Sequence, residues 1–196
     1  MGMTLDEFEL QLSDLIGRPT DLRPFVCEGS PLNCEIFLVG FNPATTMNAD
    51  FWEFWRPGYG YDKAAWFQQY VDERMAKPLK PGKTRRLPIS PSRRNMECFV
   101  EGAAGARVLE TNIYAAASDD MKSLDLASRE IAPFRFLLDA IRPKVIVVHG
   151  KLAGEAIRRF DIPAKVIAAD HHFSRKTSKE TARGYGATAA KESRAV

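Results

Sequence analysis

The chain has 196 residues, 45% of them hydrophobic, and a formal net charge of +3; this is room for one domain with its own core, without disulfides or a metal to hold it. Cys27, Cys34 and Cys98 form no CxxC pair, which argues against a disulfide framework or a zinc or iron-sulfur ligand set and fits a reducing, cytoplasmic setting. No apolar run approaches the roughly 20 residues that cross a bilayer, and acids occupy the N-terminal MGMTLDEFELQL where a signal peptide carries positive charge, so no membrane partner is expected.

Thr4-Leu5-Asp6-Glu7 has the form of a capping box, and Phe8, Leu12, Leu15 and Ile16 recur behind it at helical spacing, which predicts a first helix. A strand is predicted from Glu35 to Gly40 (EIFLVG), followed by the aromatic cluster Phe51, Trp52, Phe54 and Trp55 and a helix from about Asp62 to Met75. From Lys77 to Met96 the chain carries Lys77, Lys80, Lys83, Arg85, Arg86, Arg93 and Arg94 and no acid. Pro81-Gly82 and Pro88 to Pro91 mark much of this stretch as loop, leaving a helix from Arg93 to Val100 that stops near Gly102.

Further strands are predicted from Arg107 to Asn112, Lys144 to His149 and Ala164 to Ala169, with helices from Pro133 to Ile141 and Lys151 to Phe160, each ending before a proline. The run Val-Ile-Val-Val in the third strand lacks alternation, as expected of a central strand covered on both faces. Beyond Gly184 the sequence GYGATAAKESRAV is poor in large apolar residues, so 184–196 is read as a flexible basic tail behind a single domain of residues 1–183. From Arg175 onward Arg175, Lys176, Lys179, Arg183, Lys191 and Arg194 stand against only Glu180 and Glu192, and this segment with Lys77 to Met96 points to a polyanionic partner.

Strands alternating with helices predict a parallel sheet, whose ligands bind at the carboxyl ends of the strands. Those ends are polar here. They exit into Gly40-Phe41-Asn42-Pro43, Thr111-Asn112-Ile113-Tyr114, His149-Gly150-Lys151 and Asp170-His171-His172-Phe173-Ser174-Arg175.

Over Ile36 to Ser174 these residues resemble the uracil-DNA glycosylase superfamily. Its first motif, often Gly-x-Asn-Pro-Gly, is similar to Gly40-Phe41-Asn42-Pro43-Ala44; its second, an Asn closing the second strand, to Asn112; its third, often His-Pro-Ser, to His172-Phe173-Ser174. The common order and strand-end placement carry the resemblance, rather than any single match. Two positions depart from the pattern. Ala44 stands in place of a glycine, and Phe173 replaces a proline, which is expected to leave the histidine loop less rigid. The doublet His171-His172 leaves the register of the third motif open by one residue.

The resemblance implies a three-layer α/β/α sandwich with a central four-stranded parallel sheet, and a cofactor-free, metal-free monomer acting on DNA. It implies that Asn42 orients a water, that His172 stabilises the departing base, and that Asn112 reads the base, with Gly40, Phe41 and Pro43 lining the site. An amide offers an acceptor and two donors and so pairs with uracil N3–H and O4 together, whereas cytosine presents the inverse pattern. The flipped base needs an aromatic face, for which spacing in the resembling family selects Phe54. Ser174 and Arg175 are expected to contact phosphate.

Each residue also has a plainer reading. Asn42-Pro43 suits an ordinary turn, Asn112 a cap, His149 a strand-end histidine with satisfied nitrogens, and at least two of the four clustered aromatics a place in the core. Two other functions share these features: a catalytically inactive nucleic-acid-binding protein on the same fold, and an enzyme acting on a small nucleotide. The absence of a glycine-rich phosphate loop weighs against the latter.

Overall fold

The computed structural model describes residues 2–44, 46–79, 81–118, 128–174 and 176–195; Lys80 and Arg175 lie outside them. Helix α1 (Leu5–Ile16) opens on the expected capping box: Glu7 N–H donates to Thr4 Oγ1 at 3.2 Å, and Thr4 N–H donates to the Glu7 carboxylate at 2.7 Å. Phe8, Leu12 and Ile16 are buried, while Leu15 stands at the edge of the stripe, 39% exposed.

The strands are β1 (Phe25–Val26), β2 (Ile36–Gly40), β3 (Trp55–Arg56), β4 (Gly60–Tyr61), β5 (Val108–Asn112), β6 (Val145–His149) and β7 (Lys165–Ala169). The four sequence-predicted strands fall within a residue of their expected bounds. One sheet has the order β1-β5-β2-β6-β7, in which β5, β2, β6 and β7 are mutually parallel and β1 runs antiparallel to β5. The sheet therefore has five strands rather than four, and β2 is its middle strand, with β6 beside it. Both β1 and the small β3–β4 hairpin are two-residue strands, too short to show any periodicity in the sequence.

Helices α2 (Lys63–Ala76), α3 (Pro91–Gly102), α4 (Ala132–Ile141), α5 (Lys151–Ile157) and α6 (Lys179–Ala195) complete the described elements. Side chains along a strand alternate between faces, and here they divide between two apolar clusters. Phe37, Val39, Leu109, Ile146 and Val148 join the cluster that holds α1 residues Phe8 and Leu12; Ile36, Leu38, Val108, Val145 and Val147 join the one that holds Phe99 and Phe173. Gly40, Asn112 and His149 continue the second set, one pleat beyond Leu38, Glu110 and Val147, and so rise from the same face of the sheet at its carboxyl end.

The expected flexible tail is instead helix α6. It needs no large apolar residues because it docks through small ones: Ala182, Gly186, Ala189, Ala190 and Ser193 form its buried stripe. The contact with α3 is made backbone to backbone, since a Cβ on Gly102 would meet the Arg183 carbonyl oxygen at 2.1 Å and one on Gly186 the Phe99 carbonyl oxygen at 2.1 Å. Its two arginines are engaged locally, Arg183 with Glu101 at 2.8 Å and Arg194 with the Ala104 carbonyl at 3.2 Å.

Gly186→Val is expected to destabilise the fold by about 1–3 kcal/mol through overpacking. In the same helix Gly184 has open space around its Cβ position, so Gly184→Ala should leave stability unchanged or raise it by about 0.5–1 kcal/mol. Thermal melts of the two variants check the pair; equal effects would show that α6 does not dock through Gly186.

Candidate functional site

The loop after β2 is stitched to the loop after β5. Ile113 N–H donates to Gly40 O, Tyr114 N–H to Phe41 O and Ser118 N–H to Pro43 O, each at 3.0 Å. The Asn42 side chain is fixed from the same loop: its Nδ2 donates to Ser118 Oγ at 2.8 Å and to the Pro43 carbonyl at 3.2 Å. With its N–H groups so engaged, the amide has Oδ1 as the atom it can offer to a ligand or a water. Ser118 carries no signal in the sequence that would have singled it out, because its contribution depends on a contact across 76 residues.

Register places Gly40 directly opposite Asn112. A Cβ at position 40 would stand 2.5 Å from Asn112 Oδ1 and 3.4 Å from both Cε1 and Nε2 of His149. Glycine at this position lets the amide and the imidazole approach one spot from neighbouring strands. His149 is 2% exposed and neither ring nitrogen has a hydrogen-bond partner among the described residues, a correction to the satisfied histidine expected there. Its ring stacks on Phe173 (centroids 5.0 Å apart, planes 10° apart) and meets His172 edge-on at 4.8 Å. Burial, reinforced by His172, pushes its pKa down to about 3, so the ring is neutral at ordinary pH.

The two histidines of the doublet sit differently relative to the strand ends. Both are exposed, but His172 lies on the wall of the cavity described below and His171 does not. Its loop is held from several sides. Phe173 is fully buried between His149, Phe99 and Tyr185, so the residue expected to loosen the loop serves as its apolar anchor. Asn95 on α3, itself buried, donates to the carbonyls of Ser174 at 2.8 Å and Thr177 at 3.0 Å, and Thr177 Oγ1 donates to His172 O at 3.1 Å. Tyr185 on α6 accepts from Asp170 N–H at 3.0 Å and donates to the Asp170 carboxylate at 3.1 Å. Burial lowers the His172 pKa as well, although its side chain reaches the exposed rim.

Gly40, Phe41, Asn42, Pro43, Asn112 and His172 share one cavity of about 490 Å³. Ala44, His149 and Ser118 also border it. Ser174 does not; its carbonyl is taken by Asn95. Phe54 is a second correction: with Phe51, Trp52 and Trp55 it is buried in the first apolar cluster, its ring 5.9 Å from Tyr61. The four aromatics sit in a short 3-10 helix, Phe51–Phe54, and the strand that follows it, which turn their side chains inward. The aromatic walls are instead Phe41, set edge-on to Tyr114 at 5.1 Å, and Trp66 and Tyr70 of α2, stacked on each other at 5.7 Å.

The floor carries a buried charge cluster. Glu110 accepts from Lys63 at 2.7 Å and is paired with Arg93, and Glu97 bridges the same two cations at 3.0 and 2.8 Å. Burial alone would raise the Glu110 carboxyl; Arg93 and Lys63 outweigh it and hold it well below the usual carboxylate range. Arg93, one of the cations of the acid-free stretch and the expected start of a helix, thus belongs to the interior, while Lys83 and Arg85 remain exposed. Among the described residues no group of three His, Cys, Asp or Glu side chains converges as a metal site, and no helix is long and apolar enough to cross a membrane. All three cysteines are buried free thiols. Compared with protein families and with curated proteins, the chain matches none, so its function is argued from the geometry of this cavity.

The buried histidine makes acid stability testable. Below its ordinary pKa of 6.5 the unfolded chain takes a proton on His149 that the native ring, at about 3, refuses, so stability falls as pH drops through that interval. Glu110 acts in the same direction, but only below the ordinary carboxylate pKa of 4.5. His149→Phe, which keeps a ring against Phe173, should therefore lose less thermal stability than the wild type between about pH 7.5 and about pH 5. Parallel melting curves for the two proteins across that range would contradict the assignment.

Proposed function

We propose that the chain is a DNA glycosylase of the uracil-DNA glycosylase type, hydrolysing the N-glycosidic bond of uracil or a related deaminated base. The observation that carries this reading is the meeting of Asn42, Asn112 and His172, from three separate strand-end loops, on one cavity. The reading takes β5, β2, β6 and β7 as the parallel core of a three-layer α/β/α sandwich, with β1 an added edge, and the protein as a cofactor-free cytoplasmic monomer in base excision repair.

A base reaches such a cavity only by leaving the stack, and Phe41, Trp66 and Tyr70 offer faces to receive it. Asn112 pairs with the N–H and C=O of the base's lactam edge. As the C1′–N bond breaks, its electron pair goes to the base and positive charge grows on the sugar, as in glycoside hydrolysis. Asn42 Oδ1 accepts a hydrogen bond from the water whose oxygen bonds to C1′, and that water's proton passes to solvent. Neutral His172 donates its N–H to the base as negative charge develops, an oxyanion-type stabilisation worth roughly 3–4 kcal/mol in comparable sites. Glu110 is a poor candidate for general base because its carboxylate is committed to Arg93 and Lys63. The exposed Lys83 and Arg85 and the rim residue Lys151 suit sequence-independent phosphate contacts.

Oligonucleotides bearing a single uracil or hypoxanthine, followed by alkaline cleavage of abasic sites, test the proposal. Base release should fall about 100-fold or more in Asn42→Ala and in His172→Ala, both folded by thermal melt. Salt-sensitive binding with no release from any substrate would favour the inactive nucleic-acid-binding alternative, and release untouched by either substitution would remove these residues from the mechanism.

A further inference from the structure

The fixed charges that border the cavity are Arg23, Arg93, Glu110 and Lys151. Arg93 and Glu110 cancel within the floor cluster, and Lys151, exposed at the rim, pairs with Glu155 at 3.8 Å. Arg23 is left over. It is half-buried, its Nε is shut off from solvent without a hydrogen-bond partner, and its guanidinium forms no ion pair with any described residue. Glu73, the acid whose field reaches it, is taken by the backbone N–H groups of Asn48 and Ala49 at 3.0 and 3.2 Å. Burial lowers the Arg23 pKa, yet a guanidinium keeps its proton in a protein. The cavity therefore holds a positive charge that the fold leaves unanswered, a costly arrangement unless a ligand answers it.

The place of that charge is set by β5. Arg23 N–H donates to Ala115 O at 3.0 Å and Thr111 Oγ1 donates to Pro24 O at 2.6 Å, which fixes the segment beside the end of the strand that carries Asn112. His172 stands on the other side, edge-on to His149 at the end of β6, and β2 separates β5 from β6. Arg23 and His172 thus bound the cavity from opposite sides of the middle strand.

We propose that Arg23 is a fixed cation for the departing base, indifferent to the neutral base of the substrate and attractive to the anion that this base becomes. The inference rests on the glycosylase reading above and supplies a charge that the neutral Asn42, Asn112 and His172 lack. When the C1′–N bond breaks, its electron pair passes to the base and spreads, in uracil, over the ring nitrogen and both carbonyl oxygens. His172 answers the end beside the breaking bond with a hydrogen bond. Arg23 answers the far edge with a full charge and gives up no proton; the attacking water loses its proton to solvent, and the released base takes one from solvent. At that edge the guanidinium is closer to the negative base than to the positive sugar, so attraction exceeds repulsion. An interaction that grows only as the bond breaks raises the rate rather than the affinity, and a cation already fixed by backbone hydrogen bonds needs no reorganisation at that moment.

The test compares single-turnover release of uracil and of 5-fluorouracil, whose anion is the more stable, from otherwise identical oligonucleotides. Arg23→Met, which keeps an unbranched side chain without charge, should slow uracil release about tenfold or more and 5-fluorouracil release less. The fluorouracil-to-uracil rate ratio should then rise about threefold or more, with substrate binding little changed. Arg23→Lys, which retains the charge, should restore much of both rate and ratio. An arginine that only held the fold would slow both bases by one factor, so an unchanged ratio in Arg23→Met overturns the assignment while leaving the glycosylase reading intact. Release of neither base by the wild type overturns both. One measurement needs no variant: 5-nitrouracil, an anion at neutral pH, should inhibit the wild type more strongly than neutral uracil, and weaker inhibition by the anion contradicts the role given to Arg23 even where Arg23→Met fails to fold.

Discussion

The absence of a side chain at Gly40 controls how the cavity is assembled. Asn112 Oδ1 would stand 2.5 Å from a Cβ there and the His149 ring 3.4 Å, so both groups occupy volume that any other residue would claim. The parallel register of β2 with β5 and β6 brings the three residues to one level of the sheet. Because Gly40 ends the middle strand, both neighbouring strands feel the choice. Phe173 completes the arrangement from outside the sheet by stacking on His149, and the same ring fixes the loop that carries His172. One vacancy and one buried ring thus connect all four strand ends.

The parts of this design legible in the sequence are those with local causes. Hydrophobic runs bounded by turn residues mark the four parallel strands, the capping box marks α1, and the polar residues at the strand ends fall around the cavity. Contacts that depend on distant segments left no trace. Ser118 orients Asn42 across 76 residues; Trp66 and Tyr70 look in sequence like any amphipathic helix face; and Arg93 looks like one more cation of a basic stretch until Glu110 is placed beside it. The spacing of the resembling pattern points to Phe54 as a stacking face, whereas the 3-10 helix of this chain turns that side chain into the core. The tail departs from expectation for another reason: hydrophobicity measures how much apolar surface a helix can bury, while α6 docks by how closely its glycine and alanine backbone can approach α3.

The cavity also divides its polar groups by state. Glu110, Arg93, Lys63 and Glu97 compensate one another below, a set whose removal from water is repaid only by close pairing. Asn42, Asn112, His149 and His172 carry no formal charge at neutral pH. A ligand entering past the rim cation Lys151 therefore meets dipoles and hydrogen-bonding groups before it reaches the paired charges below. Such an environment favours neutral heterocycles with directional edges and penalises a ligand that would bring an unpaired charge inward.

Helix α6 contributes no side chain to the cavity, yet through Tyr185 and Asp170 it braces the loop of His172. A polypeptide halted at Ser178 would contain every residue of the cleft and none of this brace. During synthesis, then, the loop of His172 gains this brace only after the α6 segment has cleared the ribosome and closed against α3.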